Sequence, residues 1–220
     1  MTESPMLLEK KREALKQALI ALGEQVDAAL RQSLDALLGH DLGLAGEIVA
    51  GDAAINRQRR LLEQEALLVL AAYKPAGLDL RMVGASMEMV AELERIGDYA
   101  ADVARILLIH AEEEFPAVLV EHVAAMGEAA IAMLCDAMTA YGHSDATAAR
   151  AVAARDDQVD ALQREMIDAI VELIRDDPEA AAPGVALSWI AHHYERVADR
   201  ATNIAERVVY IVTGETPDLD

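Results

Sequence analysis

"LERIGDYAADVAR" (residues 93–105) and "YERVADRATNIAE" (residues 194–206) are one pattern written twice. Set 101 residues apart, Glu94, Arg95, Asp98, Ala100 and Ala104 fall on Glu195, Arg196, Asp199, Ala201 and Ala205, with Ile96 on Val197 and Val103 on Ile204. An α-helix turns ~100° per residue. On that spacing Leu93, Ile96, Ala100, Val103 and Leu107 share a narrow apolar sector, and Glu94, Asp98 and Asp102 stand roughly opposite. The second copy repeats both faces, with Tyr194, Val197, Ala201, Ile204 and Val208 on one and His192, Glu195, Asp199, Asn203 and Glu206 on the other. A duplicated amphipathic helix points to a chain made of two matching helical halves.

The flanking sequence supports this. In the preceding segments an offset of 104 sets Asp52, Ile55 and Asn56 on Asp156, Val159 and Asp160. The halves therefore differ by about three residues in a Pro-bearing turn, where a length change costs little. Apolar residues at spacings of three, four and seven predict a first helix over 7–38, and "GHDLGLAG" ends it. A second helix is expected over 44–73 up to "KPAG", a third over 79–110, and a fourth over 116–141 with Pro116 in its first turn. Ser144 or Asp145 is the expected N-cap of a fifth helix over 145–174, and a sixth covers 183–212 before a frayed tail, "TGETPDLD". The fold expected is all-α, with two tandem pseudo-symmetric antiparallel three-helix bundles, the first over residues 1–113 and the second over 114–220. Aromatic content of 3% argues against a sandwich or barrel.

Composition narrows the function classes. A net charge of -20 disfavours nucleic acid and anionic membranes as partners. The first residues carry no apolar leader, and the apolar runs look too short to cross a bilayer, which reads as a cytoplasmic protein without membrane insertion. Cys135 is the single cysteine and is expected to be a buried free thiol. No P-loop, triad-like placement of Ser and His, or basic patch is present.

The carboxylates carry the chemistry. A solvated helix face is their simplest role, yet like charges four residues apart repel on an isolated helix, and here the repulsion recurs in both halves. Hard oxygen donors in such a line can bridge cations, with Asp52, Asn56, Asp156 and Asp160 on adjacent helices completing the shell. His192, one turn before Glu195, adds an imidazole suited to a transition metal. Glu94, Asp98, Asp102, Glu195, Asp199 and Asn203 are thus the main candidate ligands, and His192, Glu206, Asp52 and Asp156 the outer ones. Surface-facing sites for iron, zinc, manganese or magnesium are the expectation. Two other readings remain at this point, a di-metal carboxylate enzyme in a helical bundle and a purely structural scaffold.

"ELERIGD" (92–98), Pro75 with "DLR" (79–81), and "ERVADRATNIAE" (195–206) together resemble the PhoU family, regulators of bacterial phosphate transport. The resemblance covers nearly the whole chain. It implies a pair of three-helix bundles with multinuclear metal sites at Glu94, Asp98, Glu195 and Asp199. It further implies no enzymatic activity of its own, but negative regulation of phosphate uptake and of the phosphate-starvation response. The partners implied are the ATPase subunit of a phosphate ABC transporter and a sensor histidine kinase, with a possible homodimer. "YERVADR" departs from the family's "LERIGD", and the second half lacks a "DLR" counterpart around 183–187.

Overall fold

The computed structural model describes residues 3–219, and every regular element among them is helical. The helices are α1 (Glu3–Gly39), α2 (Leu42–Tyr73), α3 (Leu78–Ile109), α4 (Ala117–His143), α5 (Ala146–Ala153), α6 (Asp156–Asp176) and α7 (Ala181–Thr213), with a 3-10 turn at Pro178–Ala180 before the last. α1, α2 and α3 pack together, as do α4, α5–α6 and α7. α3 lies along α7 and α1 along α4, so the halves share one apolar core rather than standing apart. α2 and α6 form the outer layer, each covering the carboxylate-bearing helix of its own half.

The helix ends are set by local chemistry. Asp41 caps α2 by accepting the Leu44 N–H at 2.9 Å, and Lys74 closes it in a left-handed conformation (φ 46°) before Pro75. Of the two N-cap candidates at the fifth helix, Asp145 takes the role, accepting from the amides of Thr147 and Ala148, while Ser144 ends α4 with φ 56°. Pro116 precedes the first turn of α4, and its carbonyl accepts from Leu119 and Val120.

Four expectations need correcting. The fifth helix is broken at Ala154–Arg155, where the ladder tightens to Arg155 N–H on Val152 O at 3.0 Å and the Arg155 side chain reaches Asp136 on α4. Asp156 and Asp157 then open α6, where the helix dipole favours them. No Gly or Pro marks this break. Cys135 is exposed, because Leu134 and Ala137 take the buried side of α4 and leave the thiol on the opposite face. The tail does not simply fray: the Leu219 amide donates to Glu206 at 2.9 Å and its side chain packs on the core; Asp220 lies outside the described residues. α4 is long and apolar enough to span a bilayer, but Leu119, Val123, Met126, Met133 and Leu134 are buried against the neighbouring helices, as in the core helix of a bundle.

Two hydroxyl pairs cross between the halves. Ser33 on α1 meets Tyr194 on α7 at 3.0 Å, and Ser86 on α3 meets Tyr141 on α4 at 3.4 Å. Each serine donates to its own helix, to Leu30 O and Met82 O, which leaves its lone pairs for the phenol. Burial raises both phenol pKa values, that of Tyr141 to about 12, so both stay neutral donors. The "DLR" element is also used: Asp79 pairs with Arg12 of α1, and Arg81 donates to Ile211 O at the end of α7.

Candidate metal centre

Both apolar sectors read from the sequence are buried. The carboxylates opposite them are graded: Glu94, Asp98 and Glu195 are recessed, which corrects the expectation of solvent-facing stripes for them, whereas Asp102 and Asp199 keep 39% and 42% of their side chains in solvent. α3 has α1, α2 and α7 packed around it, so little of its circumference remains free, and Glu94 is only 9% exposed. Arg95 is the open position, with 61% of its side chain in solvent.

The first groove lies between α2 and α3. Gly97 permits the close approach, because a Cβ there would come within 3.1 Å of Ile55. That approach brings Asp52 and Arg59 of α2 beside the stripe. Arg59 lies 3.7 Å from Glu94, Arg95 is 3.6 Å from Glu94 and 3.2 Å from Asp98, and Arg105 pairs with Asp102 and sits 3.8 Å from Asp52. Asn56 donates to Asp52 Oδ2 at 3.2 Å, whereas Asp52 Oδ1 is buried without a hydrogen-bond partner. Burial raises the Asp98 pKa, Glu94 and Asp52 add to the rise, and Arg95 opposes it.

The second groove lies between α6 and α7. His192 Nδ1 stands 3.1 Å from Glu195 Oε2, yet that oxygen, also buried, has no aligned hydrogen bond. Burial raises the Glu195 pKa, followed by the charges of Asp199 and Asp160, against His192 and Arg196. Asp160, one turn beyond Asp156, is an α6 carboxylate whose charge reaches Glu195. Asp199 has Arg196 at 3.9 Å.

The remaining candidates, Asp102 and Asn203 among the main ones and Glu206 among the outer ones, divide. Asn203 turns to α3 and donates to Glu92 at 3.4 Å, and Glu206 holds the tail amide and Arg207. Asp102 bears electrostatically on both Asp98 and His193. These side chains belong to an antiparallel seam between α3 and α7, where Glu88 meets Arg207, Glu92 meets Arg200, and the Tyr99 ring lies 5.9 Å from Arg196 and 5.7 Å from His193. Sequence reasoning did not find Arg59, Glu92 or Arg200, since their roles depend on how α2 and α7 are registered against α3.

Among the described residues, no three His, Cys, Asp or Glu side chains already converge as a coordination shell. Arginines and His192 screen the carboxylates instead. The donor set nevertheless fits a hard cation, since each groove holds carboxylates from two helices and one buried carboxylate oxygen without a hydrogen bond, Asp52 Oδ1 in the first and Glu195 Oε2 in the second. Arg95 is a long side chain in solvent and free to swing outward, whereas Arg196 is half-buried and lies against the Tyr99 ring. The bundle interior offers no such set: the buried polar or charged residues among those described are Ser33, Ser86, Glu94 and Thr202. Among the described residues that set holds one carboxylate and no histidine, against the several inward Glu and Glu-x-x-His ligands of a di-iron oxidase.

The chain matches the PhoU domain family twice, over residues 19–107 and 123–208. The two segments start and end at the same offsets that the motifs show. A curated relative from Pseudomonas aeruginosa, named as a phosphate-specific transport system accessory protein PhoU homolog, is 34% identical over 92% of this chain and 84% of its own length. The crystal structure of the phosphate transport system regulatory protein PhoU from Streptococcus pneumoniae superposes with a TM-score of 0.89 at 32% identity, covering 96% of this chain and 99% of that one. PhoU from Pseudomonas aeruginosa gives a TM-score of 0.88 at 32% identity, over 94% and 99% of the two chains.

Proposed function

The chain belongs to the PhoU family, and from that premise we propose that it is a cytoplasmic negative regulator of phosphate uptake and of the phosphate-starvation response. In this reading it is an adaptor without catalytic activity between the ATPase subunit of a phosphate ABC transporter and a sensor histidine kinase, as a monomer or homodimer. Its relatives carry accessory and regulatory names, which supports the coarser part of this reading.

The observation that carries the metal-dependent part is the duplicated carboxylate line. Glu94 and Asp98 with Asp52 form one cation site, and Glu195 and Asp199 with Asp160 and His192 form the other. Bound iron, zinc, manganese or magnesium would neutralise charges that now lean on arginines, and would tie α2 to α3 and α6 to α7. Freed arginines and altered outer helices then change what a partner meets. Pull-down of the ATPase subunit and of the kinase in high and low phosphate, with and without chelator, tests this. Capture that responds to phosphate and weakens on chelation is expected; no capture of either partner would remove the adaptor reading. Elemental analysis of Glu195→Ala with Asp199→Ala tests the site, and unchanged metal content would remove it.

A further inference from the structure

A groove of about 390 Å³ runs between α6 and α7, with Met166, Ile167 and Val171 on one wall and Ser188, Trp189 and His192 on the other. Large apolar side chains stand open to water here: Ile167 and Val171 on α6 and Trp189 on α7 line the groove, and Val185 lies one turn before Trp189, all between 44% and 58% exposed. They form two pairs at i, i+4, one on each helix. The fold does not require them. At the matching positions of the first half the sequence reads Glu63, Leu67, Gly84 and Glu88, so this patch belongs to one half alone. A contiguous apolar strip beside polar residues marks an interaction surface, and a trough between two helices fits the apolar face of a third.

The rim identifies the occupant. Glu165, Asp168 and Glu172 are exposed along α6, with Asp176, Asp177 and Glu179 following, against Arg164 and Arg175. A second copy docking two-fold would set one acidic rim against another, on chains of net charge -20. We propose that the α6–α7 groove around Trp189 docks a basic amphipathic helix of a protein partner. The proposal rests on the adaptor reading only in taking a protein partner to exist, and it needs no metal.

Trp189 is the single tryptophan, so its fluorescence reports the groove directly. In EDTA, the protein is titrated with a synthetic helical peptide bearing Leu at i, i+3, i+4 and i+7 and Lys on its other face. A second peptide keeps the Leu face and carries Glu instead. Saturable blue-shifted emission with the Lys peptide, and none with the Glu peptide, is the expected result. Ile167→Glu adds charge that attracts lysines in general, yet it should weaken binding about tenfold or more by spoiling the apolar wall. Val171→Glu should do the same, and Leu67→Glu, exposed on α2, should leave binding unchanged. Circular dichroism confirms that each variant folds. Equal binding of both peptides, no saturable shift, a Leu67→Glu effect as large as that of Ile167→Glu, or a concentration-dependent self-association that shifts Trp189 would each overturn the proposal. Failure here with the pull-downs intact removes only this groove, whereas pull-downs that fail with the groove intact remove the adaptor reading.

Discussion

The two halves share one plan and solve its electrostatic problem differently. In the first, Arg59, Arg95 and Arg105 stand among Glu94, Asp98, Asp102 and Asp52. In the second, Glu195 and Asp199 have Arg196 and a histidine, with Asp160 adding to the load. In the first groove Arg59 is shared, 3.0 Å from Glu63 and 3.7 Å from Glu94. In the second, burial and then the charges of Asp199 and Asp160 raise the Glu195 pKa, against His192 and Arg196. The outer helices differ too, since α2 runs unbroken whereas its counterpart breaks at Arg155. Duplication kept the donors and let the screening diverge.

The largest contrast in stability lies at the paired core positions Leu93 and Tyr194, both fully buried. Tyr194→Ala should cost about 3–5 kcal/mol, because it leaves a ring-sized cavity, and Leu93→Ala about 2–5 kcal/mol. Denaturant unfolding measures both. Tyr194→Phe separates the hydroxyl from the ring: with Ser33 still bonded to Leu30 O, the cost should stay near 1 kcal/mol. Equal losses for Tyr194→Phe and Tyr194→Ala would show that the hydroxyl, not the packing, holds the halves together.

A second contrast concerns how close the outer helix comes. The first half places Ile55 against Gly97, and the matching positions of the second half read Val159 and Ala198. Gly97→Ala should crowd Ile55 and lose about 1 kcal/mol net, since overpacking outweighs the gain in helix propensity. Adding Ile55→Val should recover part of that loss, giving a favourable coupling of about 1 kcal/mol in a double-mutant cycle. Strict additivity would mean that the close approach is not set by this pair.

The smallest contrast is at the end of α7. Arg81→Ala removes the guanidinium from Ile211 O and should cost about 0.5–1 kcal/mol, seen as faster amide exchange in the last turn of α7. Asp79→Ala should instead loosen the contact with Arg12 and leave that turn unchanged.

The architecture was legible because the apolar sectors recur at helical spacing in both halves, and burial of a duplicated face demands a shared fold. The placement of Glu94, Asp98, Glu195 and Asp199 opposite those sectors was legible for the same reason. What the sequence concealed depends on neighbours. The break at Arg155 carries no Gly or Pro, and the contact of its side chain with Asp136 depends on where α4 lies. The recess of Glu94 and Asp98 follows from α3 having three helices around it, which one-helix geometry cannot show. Asn203 and Glu206 share the helix face of Asp199, yet the α3 seam and the tail engage them first.

The central proposal is that the two duplicated carboxylate lines are cation sites. Calorimetric titration with Mn²⁺ of the metal-free protein, of Glu94→Gln with Asp98→Asn, and of Glu195→Gln with Asp199→Asn tests it most directly. The account predicts saturable binding to the unaltered protein and loss of a separate part of that binding in each variant. Identical titrations for all three proteins, or no binding to any, would contradict it.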